Sequence, residues 1–98
     1  MSPNHRFSIQ LARDVCDEAI HVADGDPAAV EAAEKARDRK LVSLMSLTLV
    51  ELRRNSGAAS EVDLIRAGFR AMEIIRLVQR AADSAARFEG GRAWPEAA

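Results

Sequence analysis

The stretch SEVDLIRAGFRAMEIIRLVQRAADSAARFE, residues 60–89, gathers its charge on a narrow stripe: Asp63, Arg66, Arg70, Glu73, Arg80, Asp83 and Arg87. Nearly everything else in its central part is apolar, with Val62, Leu64, Ile65, Phe69, Met72, Ile74, Ile75, Leu77 and Val78. A helix with so wide an apolar arc must be covered from two sides. Ser60 followed by Asp63 resembles a capping box at its start, with Asp in place of the usual Glu, and Gly90 and Gly91 stop it.

Upstream, Leu11, Val15, Ala19 and Val22 share one helical face, with Ala12, Cys16, Ile20 and Ala23 beside them, and this spacing predicts a first helix over 12–23. DGDP at 24–27 breaks it. Gly25 suits a C-cap, Asp26 an N-cap and Pro27 the first helical position. A second helix is expected over 27–54, Ala-rich and charged in its first half and apolar in its second, LVSLMSLTLVEL. Ser43, Ser46 and Thr48 do not keep a period of two, which favours helix over strand there.

At 1.5 Å per residue, helices 2 and 3 would each reach about 40 to 45 Å, whereas a compact domain of this size has a radius of gyration of about 13 Å. Such rods overhang a monomer. The expected fold is all-α, with three helices, of which 2 and 3 form a long hairpin that dimerises into a bundle. Residues 1–89 read as a single helical domain and 90–98 as a flexible tail, whose Trp94-Pro95 is a stray rather than a docking residue. The seam for a dimer mate or partner is expected at Leu41, Leu44, Met45, Leu49 and Leu52 on helix 2. On helix 3 it is expected at Ile65, Phe69, Met72, Ile75 and Val78. Met45 and Met72 read as core.

The short stretch RFSIQLA breaks this helical pattern. Phe7, Ile9 and Leu11 alternate with Arg6, Ser8 and Gln10, which is the period of a strand. Two readings of residues 6–11 stand: a short N-terminal strand, or the first turn of helix 1 with Phe7 in register with Leu11 and Val15.

Composition narrows the class. Apolar residues make up 48% and charged residues 30% of the 98, which excludes a disordered chain. Cys16 is the sole cysteine, so no internal disulfide framework exists and a reducing cytoplasm suits the chain. No basic region followed by an apolar run opens the sequence, and the apolar stretch 41–50 is too short to span a bilayer. These features predict a cytoplasmic protein with no membrane association. Up to Glu34 there are two arginines against seven acids, −5, and from Lys35 onward twelve basic residues against eight acids, +4. That asymmetry favours self-association of acidic with basic ends over nucleic-acid binding.

No catalytic constellation emerges. Asp17 and His21 lie four apart with Asp24 three further on, a spacing open to a metal, but no third strong ligand is dictated and a solvated polar face is the simpler reading. Cys16 has apolar neighbours and no base to activate it. FEGGR lacks the Lys-Ser/Thr and following helix of a phosphate loop. The expectation is a non-enzyme with no metal and no cofactor.

Two segments carry a family resemblance. RFSIQLARDVCDEAI resembles the ribbon and first helix of ribbon-helix-helix proteins, the Arc-type repressors, and SEVDLIRAGFRAMEII resembles the second helix of the ParD-type antitoxins in that superfamily. The resemblance implies two chains pairing their ribbons into a sheet that enters the DNA major groove. Arg6, Ser8 and Gln10 would then face the bases, and Ser60 would sit where helix amides hold a phosphate. Two functions follow. One is a small regulatory protein, adaptor, inhibitor or antitoxin-like, that binds another protein as a helical dimer. The alternative is an operator-reading repressor or antitoxin.

Overall fold

A computed structural model describes residues 5–89. Among these residues there are four helices and no strand: α1 (Arg6–Ala23), α2 (Pro27–Ser56), α3 (Glu61–Ala67) and α4 (Ala71–Glu89). The all-α class stands, and the three-helix count is corrected to four. None of the helices is long and apolar enough to cross a membrane.

The strand reading of residues 6–11 is overturned, because α1 begins at Arg6. Ile9 is completely buried, and Ala12, Arg13 and Cys16 follow it inward at helical spacing. The alternation of Phe7, Ile9 and Leu11 therefore ends with Ile9 in the core and the other two in solvent. A period of two over three apolar residues yields to a 3.6 period that continues for three turns. The buried face of α1 is consequently not the Leu11, Val15, Val22 face, which stays exposed.

The α1–α2 corner is closed by local chemistry. Asp24 adopts the left-handed region at φ 50° and its N–H donates to the His21 carbonyl at 3.3 Å. The Asp26 carboxylate accepts from the Ala28 N–H at 3.1 Å, with Pro27 at the first helical position. α2 then runs unbroken for 30 residues to Ser56, where Gly57 takes φ 80°. Its apolar half holds as helix because Leu41, Leu44, Met45 and Leu49 enter the core at helical spacing, and the buried Thr48 hydroxyl is satisfied by the Leu44 carbonyl at 2.8 Å.

The expected third helix is two helices. Ser60 and Asp63 do form a reciprocal capping box: the Ser60 N–H donates to the Asp63 carboxylate at 3.0 Å, and the Ser60 hydroxyl accepts from the Asp63 N–H at 3.4 Å. After seven helical residues Gly68 stops α3 at φ 119°, with its N–H on the Ile65 carbonyl and that of Phe69 on Leu64. A Cβ at Gly68 would stand 3.1 Å from Cγ of Arg6, so both the backbone angle and the close approach of α1 require glycine. The next helix is capped by Glu73, whose carboxylate accepts from the Arg70 N–H at 2.8 Å. Phe69 and Ile74, flanking that cap in the staple positions, are both in the core.

This break removes the overhang. α4 folds back along α2, with Arg76 bonded to Asp38 at 3.1 Å and Arg80 beside Ala32, Lys35 and Arg39. Leu41, Met45 and Leu49 of α2 meet Leu64, Phe69, Ile74, Leu77 and Val78 in one core cluster. α1 lies antiparallel on another side of α2, its start pinned where His5 Nε2 meets Glu51 Oε1 at 2.9 Å. The longest dimension, 46 Å, is about the length of α2 itself.

Candidate functional site

Two regions of the surface concentrate features that a closed core does not consume. The first follows from the register of α1. With Ile9, Ala12 and Cys16 inward, Phe7, Leu11, Val15 and Val22 are left exposed, Phe7 at 78%. Beside them α2 presents Ala29, Ala33 and Ala36, whose small side chains leave a trough between the two helices. Its first section, with a volume of ≈ 360 Å³, is lined by Leu11, Ala12, Val15, Cys16 and Ala19 of α1 and by Ala33, Ala36, Arg37 and Lys40 of α2. The second section shares Val15, Ala19 and Ala33 and continues past Val22 to Asp26. None of the residues 17–40 is buried, although both helices run through that segment.

The second region lies on α3 and α4. Val62 and Ile65 are exposed one turn apart on α3, and Met72 and Ile75 one turn apart on α4, at 67% and 69%. Arg66, Arg70 and Arg76 are exposed among them. Met72, Arg70 and Arg76 also line a polar cleft whose other wall is Gln10, Arg13 and Asp17 of α1.

The floor of that cleft is a bidentate ion pair between helices sixty residues apart in sequence. Arg13 donates through Nε to Glu73 Oε2 at 2.9 Å and through Nη2 to Oε1 at 2.6 Å. Nη2 also reaches the Gly68 carbonyl at 2.9 Å and Nη1 the Gln10 side-chain oxygen at 3.0 Å. Arg13 is 9% exposed and Glu73 7%. Burial pushes the Glu73 carboxyl up, but the Arg13 hydrogen bonds, the Arg70 N–H and the adjacent positive charges outweigh it and hold it below the ordinary value. The hydrogen bond to Glu73 raises Arg13 in turn, against its own desolvation. Next to them Arg37 bonds Asp38 at 3.2 Å. Burial disfavours the Arg37 cation, and the bond to Asp38 with the neighbouring carboxylates more than restores it. A carboxylate kept ionised and guanidiniums kept charged can bind and orient, but they neither give nor take protons near neutrality.

The ribbon residues are placed on a helix, where Arg6 and Gln10 share a face four residues apart and Ser8 lies on another. The Arg6 guanidinium donates to the Arg66 carbonyl, Ser8 is half-buried at the trough, and Gln10 bonds Asp14 at 2.9 Å. Ser60 is the cap of a seven-residue helix, with its hydroxyl on Asp63. Of the expected seam, Leu41, Leu44, Met45, Leu49, Phe69 and Val78 are buried in the chain's own core and Leu52 is half-buried. Ile65, Met72 and Ile75 are exposed, so Met72 is not core. Asp17 and His21 face solvent while Cys16 points into the protein. Among the described residues no group of three or more His, Cys, Asp or Glu could hold a metal. Trp94, Pro95 and the rest of the 90–98 tail lie outside the described residues.

The Arg13–Glu73 pair is absent from the sequence reading. Its only local trace is Arg13 itself, a charge set among Ile9, Ala12 and Cys16 on the face that turns inward. No protein-family model matches the chain, and no curated protein or solved structure matches it.

Proposed function

We propose that this chain is a small non-enzymatic regulatory protein, an adaptor, inhibitor or antitoxin-like partner, that works as a helical dimer and binds another protein through α3 and α4. The observation that carries the reading is the exposure of Val62, Ile65, Met72 and Ile75 in a chain whose core is already closed by Leu41, Met45, Leu49, Leu64 and Leu77. Large exposed hydrophobics gathered on two consecutive helices, rather than scattered singly, mark interaction surfaces. The arginines at 66, 70 and 76 set the chemistry of the partner: an apolar surface rimmed by carboxylates, which guanidinium forks hold bidentately. Met suits such a surface because its unbranched side chain adapts to an irregular partner.

The test places a photo-crosslinking residue at position 72 in the native cell, identifies the adduct, and titrates the purified partner calorimetrically. Burial of Met72 and Ile75 is worth about 1.5 to 3 kcal/mol each, so M72D/I75D should weaken binding at least about 100-fold. Absence of a discrete adduct, or a partner whose affinity ignores the double variant, refutes the assignment.

A further inference from the structure

The α1–α2 trough is a different surface from the α3–α4 ridge, and its charges run in a direction. Lys40 and Arg37 stand at the end where α1 begins, and Asp26 stands at the other end beside Val22. Val15, Ala19 and Ala33 line both sections and mark the middle. We propose that the trough is filled by a second copy of this chain, related by a two-fold axis that lies in the interface, crosses the helices at Val15 and packs α1 on α1 and α2 on α2, antiparallel.

Three features select this occupant. The first is packing: none of the residues 17–40 is fully buried, although this segment holds the last seven residues of α1 and the first fourteen of α2. Helices in globular proteins owe most of their stability to burial of an apolar face, and the isolated chain only half-buries Ile20, Ala23, Ala29, Val30 and Ala33 here. The second is electrostatic. A two-fold axis across the helices reverses the trough end for end, which sets Lys40 of each copy opposite Asp26 of the other. An axis along the helices would instead gather Arg37 and Lys40 of both copies at the same end of the interface, a like-charge arrangement. The third is shape. The same reversal lays the strongly exposed Phe7 against the partner's Val22 and Ala23, and Val15 against the partner's Val15, over alanines that admit close approach of the helices.

The area fits a specific but modest association. α1 is 18 residues, about 27 Å, and two packed helices are about 18 to 20 Å wide, so about 500 Å² is covered per copy. The total of about 1,000 Å² lies at the lower edge of specific interfaces, the size class of weak, concentration-dependent association.

This inference rests on the dimeric half of the proposed function and not on the α3–α4 ridge. Sedimentation equilibrium from about 1 to about 500 µM chain tests it, since that range brackets micromolar association. The expected result is a dimer of twice the 10.7 kDa chain mass with a micromolar Kd. Val15 is 58% exposed, so V15E leaves the monomer folded, as an unchanged far-UV spectrum will show. Because two glutamates then meet at the axis, Kd should rise at least about 100-fold. K40E, on an exposed lysine, places Glu opposite Asp26 and should weaken the dimer about tenfold at low salt, with the difference shrinking at about 1 M NaCl. A monomer throughout the range overturns the proposal and leaves the trough to a different protein. A dimer indifferent to V15E overturns it too, as does a K40E dimer as tight as the parent at low salt. Both variants keep Met72 and Ile75, so crosslinking from position 72 reports separately on the partner surface.

Discussion

Glu73→Ala probes the structure at the buried Arg13–Glu73 charge pair. The substitution removes two hydrogen bonds to Arg13, the acceptor of the Arg70 N–H, and the counter-charge of a guanidinium that is 9% exposed. Deleting one member of a buried ion pair typically costs about 3 to 5 kcal/mol, mostly because the other charge is left unpaired, and loss of the cap adds about 1 kcal/mol. A domain of this size has about 5 to 15 kcal/mol in all, and each kcal/mol moves its midpoint by about 4 to 8 °C. Thermal and urea denaturation by far-UV circular dichroism at fixed protein concentration should therefore show a midpoint lower by at least about 15 °C. R13M/E73L, which replaces both charges by apolar groups of similar volume, should cost less than E73A alone. The pH dependence carries the same physics. The carboxyl of Glu73 is held lower in the folded than in the unfolded chain, so the folded state binds fewer protons. Its contribution is full above the ordinary glutamate value of about 4.3 and is lost as pH falls through the depressed folded value. The stability gap between the parent and E73Q should accordingly shrink on acidification below about pH 5. A loss under about 1 kcal/mol for E73A, or a double variant as damaged as the single, refutes a buried, mutually dependent pair.

The remaining predictions concern the corners and the core. Gly68→Ala should destabilise by about 1 to 3 kcal/mol, since φ is 119° and the new Cβ meets Arg6 Cγ at 3.1 Å. Parent-like urea midpoints would show that the α3–α4 corner relaxes freely. Asp26→Ala should cost about 1 kcal/mol through the lost Ala28 hydrogen bond, whereas Asp26→Asn should cost little, by the same unfolding measurement. Leu77→Ala should cost about 2 to 5 kcal/mol because Leu77 is enclosed in the core. Val62→Ser, at an exposed position, should stay within about 0.5 kcal/mol. Equal effects at those two positions would contradict the assignment of inner and outer faces.

The helix boundaries set by neighbours in sequence could be read before folding. Asp24, Gly25, Asp26 and Pro27 close one helix and open the next through contacts of two or three residues, and Ser60 with Asp63 does the same. The all-α class follows from composition and period. Gly68 and Glu73 carried a comparable stop-and-start signal, but the continuous apolar arc of residues 60–89 masks it, and one long rod then implies an overhanging hairpin. The rod is bent because Gly68 sits against Arg6 and Ile9 of α1, an approach between residues about sixty positions apart.

Which apolar face each helix buries was likewise a tertiary decision. Phe7, Ile9 and Leu11 are similar as a local pattern, yet only Ile9 points to the core. Met45 and Met72 have the same composition-level claim to burial, yet α2 turns Met45 inward and α4 turns Met72 out. Arg13 and Glu73 look like ordinary surface charges until α1 and α4 bring them together and exclude water. By itself the sequence determined where helices cap and that the chain is helical, because those free energies are settled within about four residues along the backbone. Only the tertiary structure decided the α3–α4 bend, the buried ion pair and the two apolar surfaces left in solvent, because burial depends on what the rest of the chain brings alongside.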